Sequence, residues 1–158
     1  MSTSSSEGKM DCSPRGGASG FVKVVDKRTL GIPDANGNNR MDSISNIVET
    51  GTIGLLFLIP GVDETLRING SAYLSTDNSY LGLFTEEQNP PKTCIVVSVE
   101  EAFLHCAKAF MRSKLWDNSA QIDKDSFPTM GQMLKDQLGS QDEPESRDAM
   151  IKRYKSDL

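Results

Sequence analysis

Hydrophobic residues along this chain mostly recur in short apolar or alternating stretches, the signature of strands, and in only a few places take helical spacing. Residues 21–25 (FVKVV) alternate, and 28–32 (RTLGI) follow the turn-like pair Asp26-Lys27, which predicts a β-hairpin. Residues 34–39 (DANGNN) are loop by composition. Met41, Ile44, Ile47 and Val48 share one face of a helix over 41–49, and Gly51 ends it. Residues 53–59 (IGLLFLI) have no polar face, which predicts a strand buried on both sides, one of them against a second subunit. After Pro60-Gly61, residues 64–74 (ETLRINGSAYL) read as a longer strand with Gly70 at a bulge or bend. Residues 79–84 predict a short helix, and 93–99 (TCIVVSV) a strand beyond Pro90-Pro91. Residues 100–114 (EEAFLHCAKAFMRSK), rich in strong helix formers, read as the best helix of the chain. Several short strands with helices, and no alternation of strand and helix, predict a mainly β fold: a small barrel with helical additions.

Composition narrows the function classes. The 158 residues suit one domain, assigned to residues 1–138, and the text turns polar after Gly139, giving a C-terminal tail over 139–158. Net charge is −5 and the basic residues form no stripe, which argues against nucleic acid or an anionic membrane as partner. No apolar run approaches the roughly 18 residues of a membrane span, and the start MSTSSSEGKMD has no apolar core of a signal peptide. Cys12, Cys94 and Cys106 are odd in number and lack metal-site spacing, so a reducing cytoplasm is the expected location. His105 is the only histidine, which leaves no histidine triad and no multi-histidine metal site.

The Gly/Asn-rich loop before the helix at residue 41 is the chief candidate for chemistry. Unpaired N–H groups at a helix start, the helix dipole and the guanidinium of Arg40 together suit a phosphate. Equally, Arg40 pairs with Asp34 or Asp42, and Asn38 and Asn39 are simple turn formers. Arg15 reads as a loop charge, Cys106 as a small packed hydrophobe, and Lys108 with Arg112 as a solvated face or a cationic wall. Trp116 serves as core or as a ring to stack on a planar ligand.

In combination, MDCSPRGG (10–17), FVKVVDKRTLGIPD (21–34), GNNRMDSISNI (37–47), GLLFLIPGVDETLRINGSA (54–72) and EAFLHCAKAFMRSKLW (101–116) closely resemble the FMN-binding split-barrel proteins related to pyridoxamine 5′-phosphate oxidase. The resemblance implies a split β-barrel, a homodimer, and FMN bound at the dimer interface. It also implies cofactor contacts by position. Ser13 and Arg15 fall at the family's first phosphate and ribityl contacts, and Ile32, Pro33 and Asp34 along the isoalloxazine edge. Asn39, Arg40 and Ser43 fall at the phosphate grip, and Thr65 and Arg67 where a partner subunit reaches the flavin. Lys108, Arg112 and Trp116 lie near the cofactor cleft or substrate mouth. Two departures stand out. Asp42 brings a carboxylate to the phosphate end of the helix. Relatives also carry a first strand ahead of the hairpin leading into SPRG, whereas residues 1–4 here read as that hairpin's turn. The implied barrel is therefore N-terminally truncated, with an unpaired edge.

The function implied is an FMN-dependent oxidoreductase acting on a small molecule, with a nicotinamide as candidate electron donor. A flavin does the redox chemistry itself, which agrees with the lack of any protein nucleophile or carboxylate pair. The alternative is a flavin-binding or storage module without turnover, or a split barrel holding another anionic cofactor such as haem or a deazaflavin.

Overall fold

The computed structural model describes residues 1–35 and 40–155. Seven strands form one sheet: β1 (Ser2–Ser4), β2 (Met10–Cys12), β3 (Lys23–Val24), β4 (Thr29–Pro33), β5 (Thr52–Phe57), β6 (Thr65–Ser75) and β7 (Cys94–His105). Their order is β2-β1-β5-β6-β7-β4-β3, and every neighbouring pair is antiparallel. This mainly β architecture with helices is that of the split barrel expected from the sequence. The helix α1 (Asp42–Thr50) forms where the periodicity places it. Gly51 closes it in the left-handed region at φ 66°, its N–H donating to the Ile47 carbonyl. A short helix, α2 (Asn78–Leu81), runs into a 3-10 turn at Gly82–Phe84.

Residues opposite each other across strand pairs share a face of the sheet. On one face, Leu55 opposes Ile68, Ala72 opposes Val97, and Ile32 opposes Ile95. With Ile53, Leu30, and Ile44 and Ile47 of α1 they form the main core. On the other face Phe84, Cys94 and Val96 form a smaller cluster under α2.

Two expectations are corrected, and a third concerns a face that a single chain leaves open. Within the single chain, the stretch 53–59 buries one side only: Ile53 and Leu55 are buried, while Leu56, Leu58 and Ile59 are 52%, 52% and 57% exposed, the side expected to meet a second subunit. Residues 1–4 are not a turn, because Ser2–Ser4 is a strand and residues 5–9 make the turn into β2. Strand β1 also pairs with β5, through Ser2–Gly54 and Thr3–Ile53. Finally, residues 100–105 are not helical. They extend β7 along β6, from Glu101 opposite Asn69 to His105 opposite Thr65, and the helix α3 begins only at Lys108 and ends at Ser113. Ladder hydrogen bonds and cross-strand packing outweigh helix propensity there.

The bulge at Gly70 falls where the sequence puts it. Gly70 opposes Val99 and Asn69 opposes Glu101, so Glu100 is the extra residue. A side chain at Gly70 would lie 2.1 Å from the Ser98 carbonyl oxygen, so only glycine fits. The extra residue also shifts the phase of β7: Val97 faces the core before it, whereas Phe103 and His105 lie on the opposite face after it, level with Arg67 and Thr65.

The chain divides into two compact units, Met1–Trp116 and Asp117–Leu158, ahead of the composition change at residue 138 on which the sequence reading divides it. The second unit contains α4 (Met130–Leu138) and α5 (Arg147–Tyr154), each capped at its start by a side chain, Thr129 and Ser146. The polar stretch expected as a tail thus includes a capped helix. No helix among the described residues is long and apolar enough to cross a membrane.

Candidate functional site

Because β1 covers β5 only as far as Gly54, two adjoining clefts open beside Leu55 and Leu56. Met1, Cys12, Leu55 and Leu56 line both. The first, about 410 Å³, has apolar walls from Phe21, Val22, Ile32 and Leu58, with Ser13 and Arg15 at a polar end. The second, about 460 Å³, carries Thr65, Arg67, Asn69, His105 and Phe110. Both volumes lie in the range of roughly 300–1,000 Å³ typical of ligand sites.

The polar end of the first cleft is built by the segment leaving β2. Arg15 Nη1 donates to Ser13 Oγ at 2.6 Å and to the Pro14 carbonyl at 2.9 Å. Asp34, just past β4, feels the Arg15 charge; its carboxyl is nonetheless pushed above the usual range because burial outweighs that attraction. Two residues before Ser13, Asp11 accepts a hydrogen bond from Ser43 Oγ in the first turn of α1. This contact ties the helix start to the strand that carries the SPRG segment. Arg40 Nη2 lies 2.8 Å from Asp42 Oδ2 in an exposed ion pair. The start of α1 therefore carries two carboxylates, Asp11 and Asp42, beside one guanidinium.

The second cleft is built by the paired strands β6 and β7. Thr65 is buried and stands opposite His105. Arg67 opposes Phe103, with its guanidinium carbon 4.9 Å from the ring centroid. Asn69 Nδ2 donates to Glu101 at 3.1 Å. Phe110 of α3 lies edge-on to Trp116, whose Nε1–H donates to the Val62 carbonyl at 2.9 Å.

Of the residues singled out in the sequence, Ser13, Arg15 and Ile32 come together in the first cleft, with Asp34 in electrostatic reach. Thr65 and Arg67 come together in the second. Pro33 is buried at the end of β4. Arg40 and Ser43 stand at the start of α1, and Asn39 lies outside the described residues. Lys108 and Arg112 are exposed on α3 and line neither cleft, and Trp116 acts on the second cleft through Phe110. His105 and Glu101 belong to β7, not to the helix over 100–114 that the sequence predicts. Residues 55–58, read as core or interface alone, also wall the first cleft, and Leu55 and Leu56 wall both. Sequence reasoning misses Met1, which no motif contains, and Cys12, Phe21 and Val22, whose only signal is their place in matched motifs.

Comparison with known proteins agrees with this architecture. The model of the pyridoxamine 5′-phosphate oxidase family matches residues 1–106. Group A Streptococcus HupZ superposes with a TM-score of 0.52 at 19% identity, over 65% of this chain and 80% of that one. An FMN-binding protein from Syntrophomonas wolfei subsp. wolfei gives a TM-score of 0.49 at 14% identity, over 66% of this chain and 74% of that one. No curated protein sequence matches the chain. The likeness to HupZ is one of fold, while the family match spans every strand of the sheet, and by it the chain belongs to the pyridoxamine 5′-phosphate oxidase family.

Proposed function

We propose that this protein is an FMN-dependent oxidoreductase acting on a small molecule, and that FMN lies in the first cleft. The observation that carries the reading is the chemistry of that cleft: a guanidinium and a hydroxyl at one end of a trough with aliphatic and aromatic walls. A phosphate suits the first and a planar tricyclic ring the second. Arg15 and Ser13 would hold the phosphate, joined by Arg40 across the Asp11–Ser43 contact. Phe21, Val22 and Ile32 would pack against the ring and keep water from it. A bound flavin supplies hydride and electron transfer, so the chain's own task is binding, orientation and exclusion of water.

The proposed assembly is a homodimer, since Leu56 of β5 and Leu58 and Ile59 just after it leave an apolar strip beside the cleft. The donor proposed is a reduced nicotinamide, in the cytoplasm. A carrier without turnover is the second reading. Steady-state oxidation of NADH or NADPH by FMN-loaded protein separates the two. Turnover that depends on FMN supports the enzyme, and tight FMN binding with no turnover by either donor supports the carrier.

A further inference from the structure

We infer that the second cleft takes a neutral planar ring bearing a carboxamide, bound through the buried hydroxyl of Thr65 between Asp63 and Arg67. Beside a flavin this is the place of the donor's nicotinamide, a role that rests on the flavin reading above. The cleft abuts the first along Met1, Cys12, Leu55 and Leu56, so a ring held there lies next to the proposed flavin position.

The hydrogen-bonding pattern of the cleft selects the ligand. Asp63, just before β6, and Thr65, Arg67 and Asn69 within it are alternate positions, and all four line the cleft. Thr65 is only 6% exposed, yet its hydroxyl has no hydrogen-bond partner among the described residues. No wholly covered side-chain polar atom among them lacks a partner, so this hydroxyl opens on the cleft and is left for a ligand to satisfy. Asp63 and Arg67, two residues to either side, form no ion pair with each other or with another described residue. A carboxylate only accepts hydrogen bonds, a guanidinium only donates them, and a hydroxyl does both. A carboxamide matches that row, with its oxygen toward Arg67 and its amino group toward Asp63. An anion would gain Arg67 but meet the like charge of Asp63, and a cation would gain Asp63 but meet Arg67. A zwitterion would bring two charges against Leu55, Leu56, Ala109 and Phe110, at a desolvation cost that a neutral amide avoids. Those apolar walls suit a planar ring. The Met1 ammonium is engaged elsewhere: it donates at 3.2 Å to the carbonyl of Ser13, which lines the first cleft and not the second.

Nicotinamide is the probe, titrated into the full chain without flavin and followed through the backbone ¹⁵N resonances of Thr65 and Arg67. Saturable shifts are expected, with nicotinate, the carboxylate of the same ring, and the zwitterion phenylalanine each weaker by on the order of tenfold. Thr65→Val, which keeps the shape and removes the hydroxyl, should weaken nicotinamide about three- to tenfold, the scale of one hydrogen bond. Thr65→Ser should recover the loss. Asp63→Asn, at a half-buried position outside the core, should turn the preference toward nicotinate. Four results would each overturn the inference: no saturable shift, an unchanged affinity in Thr65→Val with core amide resonances in place, nicotinate or phenylalanine binding as tightly as nicotinamide, or an unaltered preference in Asp63→Asn, which does not depend on Thr65→Val folding. NADH or NADPH is expected to displace nicotinamide, and failure of both rejects the donor's place here. An FMN titration of the same protein separates this claim from the flavin reading. FMN binding without nicotinamide binding rejects this subsite alone. Nicotinamide binding without FMN binding keeps the carboxamide site and rejects its place beside a flavin.

Discussion

Arg15 turns back on its own segment, giving hydrogen bonds to Ser13 Oγ and the Pro14 carbonyl, and so holds its charge at one end of an apolar trough. Removing a charge-assisted hydrogen bond costs about 1.5–3 kcal/mol. Arg15→Ala is therefore expected to weaken FMN binding about ten- to a hundredfold by fluorescence titration, and an unchanged Kd would remove Arg15 from the phosphate site. Arg40 answers to the same scale. Its exposed pair with Asp42 is worth about 0.2–1 kcal/mol, less than a charge-assisted hydrogen bond to phosphate. Arg40→Ala should weaken FMN comparably, while Asp42→Asn, which deletes a like charge beside the phosphate, should strengthen it. Asp34 makes a prediction about pH. Burial raises its carboxyl above the usual value, so the folded chain holds that proton more tightly than the unfolded one. Its contribution to stability is present below the ordinary carboxylate range and is lost as pH rises through the raised value. Urea unfolding should find Asp34→Asn more stable than the parent at neutral pH, with the difference shrinking as the pH falls toward about 4. A variant less stable at neutral pH would contradict the assignment.

Strand β7 shows where local sequence and element part company. Residues 100–105 are dominated by strong helix formers, yet they continue the ladder with β6 across a bulge that glycine alone permits. Gly70→Ala drives a methyl group into the Ser98 carbonyl, and a loss of about 1–3 kcal/mol or more is expected in thermal unfolding. A neutral result would mean that the bulge does not fix the phase of Phe103 and His105. Strand β1 is illegible for the opposite reason: Ser-Thr-Ser carries no hydrophobic alternation. It is held by polar contacts instead, with Asn46 Nδ2 donating to buried Thr3 Oγ1 at 3.0 Å and Thr50 Oγ1 donating to the Ser4 carbonyl at 2.9 Å. Asn46→Ala orphans the Thr3 hydroxyl and should cost about 1–3 kcal/mol. The β3–β4 hairpin, α1 with its Gly51 cap, and the Gly70 bulge were readable because periodicity, turn chemistry and backbone need agree there. The clefts were only half readable. Arg15 and Ser13 announce themselves by type, whereas Phe21, Val22 and Leu58 become walls only through the order in which strands pair.

At the scale of the whole molecule, the family fixes the kind of sheet, and the chain's own surface suggests what covers it. Leu56 of β5 and, just beyond the strand, Leu58 and Ile59 are 52%, 52% and 57% exposed, an apolar strip of the kind that marks an interaction surface. Light scattering is expected to give about twice the 17.3 kDa chain mass, and Leu56→Asp to shift it toward the single chain. A parent protein that scatters as one chain at micromolar concentration would count against the dimer. The helices of the second unit are secured by their own contacts: Arg147 donates to Asp125 Oδ1 and to the Lys124 carbonyl at 3.0 and 2.7 Å. The central claim remains that the first cleft holds FMN, and its most direct test is titration of the purified protein with FMN, read by flavin fluorescence and the visible absorption bands. Saturable binding of one flavin per chain, weakened by Arg15→Ala, is the predicted result. A flavin spectrum unchanged by excess protein would contradict it.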